Sequence, residues 1–320
     1  MATKTTKQSK KRLGIVGAGR IAQRHARALQ KISAVEIAAW SASKPANAQR
    51  VAAELGGTAM ATKELLCAAD IDAVLICTPT FLHHQQTLSA LAHGKKVFCE
   101  KPFARTLEQA DEMIAKGDGQ IYVGHVLRFF HAYNRARQIV QRDDLGAVRK
   151  VTCRRLGKKQ TGSAHWLQDV EKSGGVLLDL VIHDFDWLLW TFGEPAALRV
   201  ETEEEKDKNG WQHAIAHIGW QHGLRAEVEG SWLNDASEIQ LVVEGERGTL
   251  RVDSSSPGEE LLLETEDYQR TISLEGLPDP YVMQMKHFAG WLNGLLEPIV
   301  TVQEARAALA LSLRAIAARK

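Results

Sequence analysis

Short apolar runs at Leu13–Val16, Val35–Trp40, Ala73–Cys77, Val97–Cys99 and Ile121–Val123 mark the first 124 residues. Runs this short and this continuous belong to strands buried on both faces. Between them, Ile21–Ile32, Ala46–Leu55, Phe81–His93 and Leu107–Ala115 repeat their apolar positions at three- and four-residue intervals, the spacing of amphipathic helices. Strands alternating with crossover helices predict a parallel, doubly wound sheet of Rossmann type over residues 1–124.

Beyond Val123 the period changes. A helix near Tyr133–Gln141 and a strand over Val148–Leu156 lead into a loop from Gly157 to Ser173, and an apolar stretch over Val176–Phe192 reads as one helix. Alternation then recurs at Trp211–Trp220, Leu224–Trp232, Ile239–Val243, Thr249–Val252, Leu261–Glu264 and Thr271–Leu274, with tight turns such as Gln221-His222-Gly223. Glu201–Glu205 reads as a solvated hairpin end. Asp279-Pro280 opens a helix to about Leu296, and Val302–Ala318 is an Ala-rich closing helix. The expected fold class is therefore α/β, a Rossmann domain over 1–124 followed by an α+β domain over 125–320 with an open, mostly antiparallel sheet. Apolar alternation on the uncovered face of that sheet points to a homodimer or homotetramer.

Composition narrows the partners. The 320 residues are 44% hydrophobic and 25% charged, with a net charge of +1, so no strong basic field exists to collect nucleic acid or an anionic membrane surface. The start, Met1 to Arg12, carries Lys4, Lys7, Lys10 and Lys11 without a signal-type apolar core, and no apolar run reaches the roughly 18 residues of a membrane span. The scattered Cys67, Cys77, Cys99 and Cys153 suit reduced thiols. Together these features point to a cytoplasmic protein.

The chemistry-bearing residues lie where a parallel sheet places ligands, beyond the carboxyl ends of its strands. Gly17-Ala18-Gly19-Arg20-Ile21-Ala22 follows the first strand and opens a helix. Gly17 permits the turn, Gly19 admits a pyrophosphate to the backbone, and the small Ala22 allows close helix packing. The acid that grips a ribose is expected at the end of the second strand, yet that segment reads Ala39-Trp40-Ser41-Ala42-Ser43-Lys44. Ser43 and Lys44 suit a 2′-phosphate, so NADP is expected over NAD. Thr78-Pro79-Thr80-Phe81-Leu82-His83 and Glu100-Lys101-Pro102 leave the next two strands toward the same crevice. Thr78, Pro79, His83 and Glu100 are accordingly expected beside the coenzyme, His83 near the nicotinamide. No set of His, Cys and carboxylates has metal-ligand spacing, so no metal is expected.

These segments, with Gly124-His125-Val126-Leu127-Arg128-Phe129 and the stretch from Gly174-Gly175 through Asp179 to His183, resemble the Gfo/Idh/MocA family of oxidoreductases over nearly the whole chain. The resemblance implies a Rossmann domain and an α/β domain whose sheet supports a substrate pocket. It also implies that Lys101 lies near the nicotinamide and the reacting oxygen, and that Asp179 and His183 handle the substrate and its proton. Where NAD-using members carry the ribose acid, this chain has Ala42.

Oxidising a secondary alcohol requires a base and a charge stabiliser around one oxygen. His183 is the natural base, Lys101 the stabiliser, and Asp179 an orienting group at i, i+4 from His183. Spacing alone fits a helix-surface ion pair worth about 0.3–0.5 kcal/mol; the resemblance turns the reading toward catalysis. His125 and Arg128 leave the last Rossmann strand either as substrate contacts or as domain-interface pairs, and His165 and Trp166 are candidates to close over a sugar ring, with packing the other use of the Trp. The expected function is hydride transfer between NADP, or NAD, and the hydroxyl or keto carbon of a sugar, polyol or similar small molecule. The alternatives are a redox-assisted glycosidase or eliminase that retains its coenzyme, and a non-catalytic coenzyme-binding sensor.

Overall fold

The computed structural model describes residues 10–117, 119–158, 166–202, 212–253 and 260–319. The first half runs β1 (Lys11–Val16), α1 (Arg20–Leu29), β2 (Val35–Ser41), α2 (Pro45–Leu55), β3 (Thr58–Ala59), α3 (Thr62–Cys67), β4 (Ala73–Ile76), α4 (His83–Ala92), β5 (Lys96–Glu100), α5 (Leu107–Lys116) and β6 (Ile121–Gly124). All strand pairs are parallel, in the order β3-β2-β1-β4-β5-β6. The chain therefore reverses direction across the sheet between β1 and β4, the crevice where doubly wound folds take their ligands. Strand residues such as Ile15, Val74, Leu75 and Phe98 are wholly buried, as the continuous apolar runs require.

The second half begins with α6 (His131–Gln141) and β7 (Val148–Lys158), passes through α7 (Val170–Ser173), α8 (Gly175–Asp179) and α9 (Ile182–Phe192), and continues through β8 (Ala197–Thr202), β9 (His213–Gly219), β10 (Arg225–Asn234), β11 (Glu238–Gly245), β12 (Gly248–Asp253), β13 (Glu260–Thr265) and β14 (Gln269–Ser273). These strands make one sheet, β14-β13-β12-β11-β7-β10-β9-β8. Only the β7–β10 pair is parallel. One face packs on α6, α9 and the end of the chain, with Cys153, Val228, Leu241, Phe185 and Trp187 at the centre. The chain closes with α10 (Pro280–Leu292) and α11 (Val302–Ala317), each with a well-satisfied start. Asp279 Oδ1 accepts from the Tyr281 and Val282 amides, and Thr301 and Glu304 form a reciprocal capping box.

Four expectations change. The stretch read as one helix over 176–192 is broken at Leu180 and Val181: the Val181 amide bonds Val176 O, a residue further back than an α-helix allows. Gly230 on β10 gives the break room, because a Cβ there would sit 2.3 Å from Val181 Cγ1. The segment near Glu201 is partly strand, β8, while residues 203–205 lie outside the described residues. The uncovered sheet face is mainly ionic instead of apolar: Arg154 pairs with Glu229 and Glu238, His213 with Glu229, and His217 lies between Glu201 and Glu227. The apolar argument for an oligomer is thereby removed. Finally, a boundary at 124/125 does not separate two cores, since Met285, Phe288 and Trp291 of α10 pack with Phe98 and Tyr122 of the first sheet.

Two buried ion pairs hold α9. Arg155 of β7 bonds Asp184 through Nε and Nη2 at 2.7 and 2.8 Å, and Arg128, from the turn Val126–Phe129, bonds Asp186 at 3.0 and 2.7 Å. All four side chains are at least nine-tenths buried. Removing one partner strands a buried charge, which costs about 3–5 kcal/mol, whereas replacing both with apolar groups is near neutral. Arg128→Leu should therefore lower stability by about 3–5 kcal/mol in urea titrations, and Arg128→Leu with Asp186→Leu should recover most of it. Equal losses in the single and double variants would refute the clamp.

Candidate active site

The loop after β1 has the form a dinucleotide needs. Gly17 sits at φ +111°, and a Cβ there would lie 2.5 Å from Cys77 O, so only glycine fits. A Cβ on Gly19 would meet nothing within 4 Å, leaving open space over the start of α1. No side chain caps that helix and its first turn carries no acid. Its free N–H groups and positive dipole end are thus available to a pyrophosphate, with Ala18, Arg20 and Ile21 around them. Ala22 is fully buried against the sheet. Ser43 and Lys44 are exposed beyond the end of β2, next to the start of α2.

The two later loops are tied to each other and to α1. Glu100 Oε1 lies 2.6 Å from Nε2 of the fully buried His25 on α1, and Glu100 Oε2 accepts from the Lys101 amide at 3.1 Å. Burial alone would raise the Glu100 carboxyl, but the His25 hydrogen bond and charge, with Lys101, outweigh it and hold it below its ordinary value. His83 is likewise buried, its two ring nitrogens 2.8 Å from Pro102 O and 2.9 Å from Thr78 O. The ring thus lies between the two loops, its single N–H donating to one of these two carbonyls. Thr78 Oγ1 bonds Gln86, and Pro79 precedes the turn Thr80–Leu82.

Lys101, just past β5, reaches into the second half. Its Nζ donates to Asp179 O at 2.7 Å and lies 3.4 Å from Asp179 Oδ1. That carbonyl is free for it because the helix breaks directly after α8. The same break takes Asp179 and His183 off a common helix face, so the expected i, i+4 pair is corrected. Asp179 holds Lys101, and His183 Nδ1 is shielded from solvent with no hydrogen-bond partner among the described residues. Burial, and then the charges of Lys101, Arg155 and His125, push the His183 imidazole well below its ordinary value. The ring is neutral at neutral pH.

His125 is fully buried with Nδ1 3.8 Å from Asp186 Oδ2, and neither ring nitrogen has a hydrogen-bond partner among the described residues. Of the two uses open to Arg128, the pairing one is seen: its N–H groups go to Asp186, Glu304 Oε1 and Ile299 O. Trp166 packs edge-on to Phe81 at 6.5 Å between ring centroids, while His165 lies outside the described residues. Sequence reasoning missed His25, Arg155, Asp184 and Asp186, whose partners stand 29 to 75 positions away. No local signal marks them. Among the described residues there is no group of three or more His, Cys, Asp or Glu able to hold a metal, and no helix long and apolar enough to cross a membrane.

A dinucleotide fold with a lysine, an imidazole and a carboxylate meeting beside its crevice has the make-up of a nicotinamide-linked oxidoreductase. Family models agree: residues 11–123 match the oxidoreductase family with an NAD-binding Rossmann fold, and residues 133–251 match the GFO/IDH/MocA C-terminal domain. The chain belongs to the Gfo/Idh/MocA oxidoreductase family. An inositol 2-dehydrogenase of Rhizobium meliloti is 32% identical over 57% of this chain and 55% of its own length, so that match spans little more than half of the relative. A 1,5-anhydro-D-fructose reductase of Ensifer adhaerens is 30% identical over 75% of this chain and 74% of its own. In fold, the chain is similar to a 3-ketoreductase of Actinomadura kijaniata solved with NADP and TDP-benzene, at TM-score 0.87 and 19% identity over 98% of each chain.

His83, His125 and His183 are all held below the ordinary histidine value of 6.5, each chiefly by burial. Below that pH the unfolded chain takes up protons that the folded one refuses, so stability is lost as pH falls through about 6.5. The melting temperature should hold level at neutral pH and decline from about pH 6.5 toward 5. A level melting curve across that interval would contradict the assignment.

Proposed function

We propose that this protein is an NADP-favouring dehydrogenase or reductase that transfers a hydride between the coenzyme and the hydroxyl or keto carbon of a sugar, polyol or similar small molecule. The observation that supports the reading is the contact of Lys101 from the Rossmann half with Asp179 from the second half, with the Lys101 charge felt by His183. In the oxidation direction neutral His183 accepts the hydroxyl proton while Lys101 donates to the developing alkoxide. Asp179 positions the Lys101 side chain. A bound nicotinamide supplies the hydride acceptor. His125, whose ring nitrogens have no hydrogen-bond partner among the described residues, is a further polar group whose charge His183 feels, and Trp166 with Phe81 offers aromatic surface to a sugar face. The relatives named above, which act on inositol and an anhydrosugar by their names, support this substrate class.

Lys101→Ala and His183→Ala should each lower kcat by about a hundredfold or more, the usual worth of a positioned proton or charge group, while NADPH fluorescence titration shows unchanged binding. The assay is a panel of polyols, aldoses and ketoses followed at the nicotinamide band. Near-normal turnover in either variant removes that residue's role. Substrate turnover without release of reduced coenzyme favours the redox-assisted glycosidase or eliminase instead.

Coenzyme choice rests on the acid-free end of β2 and the exposed Lys44. kcat/KM with NADP should exceed that with NAD by about tenfold or more, and Lys44→Asp should narrow or invert the ratio, since the new carboxylate repels a 2′-phosphate. A clear preference of the unaltered protein for NAD would defeat this assignment.

A further inference from the structure

Tyr133 on α6 bonds Arg155 inside the protein, whereas Arg135 on the same helix lines an open cavity of about 900 Å3. The cavity lies between α6, the chain leaving β14, and α10, and neither Lys101, Asp179 nor His183 borders it. Its size is that of a small-molecule site. Three of the seven exposed large apolar side chains among the described residues gather on its walls: Leu277, Leu296 and Ile299, at 47%, 46% and 38% exposure. Exposed apolar groups concentrated in one concave place mark a binding surface more strongly than the same groups scattered.

The polar part of the lining has a single sign. Among the described residues no aspartate or glutamate borders the cavity, while Lys286, Arg135 and Arg128 do. Arg128 is already neutralised by Asp186 and Glu304. Lys286 has no ion pair among the described residues, and Arg135 bonds only the neutral amide of Gln138. Two cations without carboxylate partners beside an apolar wall complement a ligand that is apolar at one end and anionic at the other.

We propose that this cavity binds a small organic anion, an apolar body bearing one carboxylate, sulfonate or phosphate group, with the body against Leu277, Leu296 and Ile299 and the charge against Lys286 and Arg135. The site is separate from the reaction cluster but not isolated from it. Arg128 belongs to both the cavity wall and the clamp on α9, three residues beyond His183.

Octanoate and the uncharged 1-octanol serve as probes in isothermal titration of the full chain saturated with NADP, which keeps the dinucleotide crevice filled. Octanoate should bind once per chain, and 1-octanol, Lys286→Glu and Leu277→Asp should each weaken binding by about tenfold, the worth of one charge-assisted contact or one buried apolar side chain. Lys286 and Leu277 are exposed, so neither change disturbs the core. Equal affinity for the alcohol, unaltered binding in both variants, or no saturable binding would each overturn the proposal. So would sedimentation showing that a second copy of the chain covers the patch and that Leu277→Asp dissociates it.

Discussion

Two aspartates on α9, separated only by Phe185, are each gripped through both oxygens by a buried arginine, and the geometry of the reaction cluster descends from that arrangement. Asp184 ties the helix to the sheet beneath it through Arg155. Asp186 ties it to the turn that carries the chain out of the Rossmann half. Neither pair adds much net stability, because desolvating the charges offsets most of their attraction. Their effect is directional: a planar guanidinium accepts a carboxylate in one orientation, so α9 has one rotation and one height. His183, one residue before Asp184, has no independent choice of position.

The irregular backbone at Leu180 and Val181 completes the arrangement. A continuous helix would have engaged Asp179 O internally and turned its side chain with the helix. Slipping the register by one residue releases the carbonyl to Lys101. Burial, and after it the charge of Lys101, holds the His183 imidazole well below its ordinary value. One backbone irregularity therefore sets the place of the cation.

Much of the fold could be read from periodicity because it rests on local rules. Continuous runs gave the buried strands, and Gly17 marked a turn that no other residue type allows. What escaped were features decided by distant contacts. Apolar spacing continues straight through Leu180 and Val181, so nothing local announces the break. Arg128 looks the same in sequence whether it faces a ligand or Asp186, and the aspartate lies 58 positions away. The open sheet face was misjudged because alternation reveals which positions share a face, and not whether the outward ones form ion pairs across strands, as Arg154, Glu229 and Glu238 do. The short β3 and α3 lack enough residues to show any period.

The interleaving of α10 with the first sheet governs the order in which the molecule can assemble. Phe98 and Tyr122 leave the ribosome long before Phe288 and Trp291, their ring neighbours at 5.4 and 5.6 Å. Until the tail of the chain is made, the nascent Rossmann half has an uncovered aromatic seam, and contacts so far apart in sequence form slowly. Completion of the amino-terminal lobe is thus a late event in synthesis, and a chain that stops short of residue 292 is left with a sticky surface.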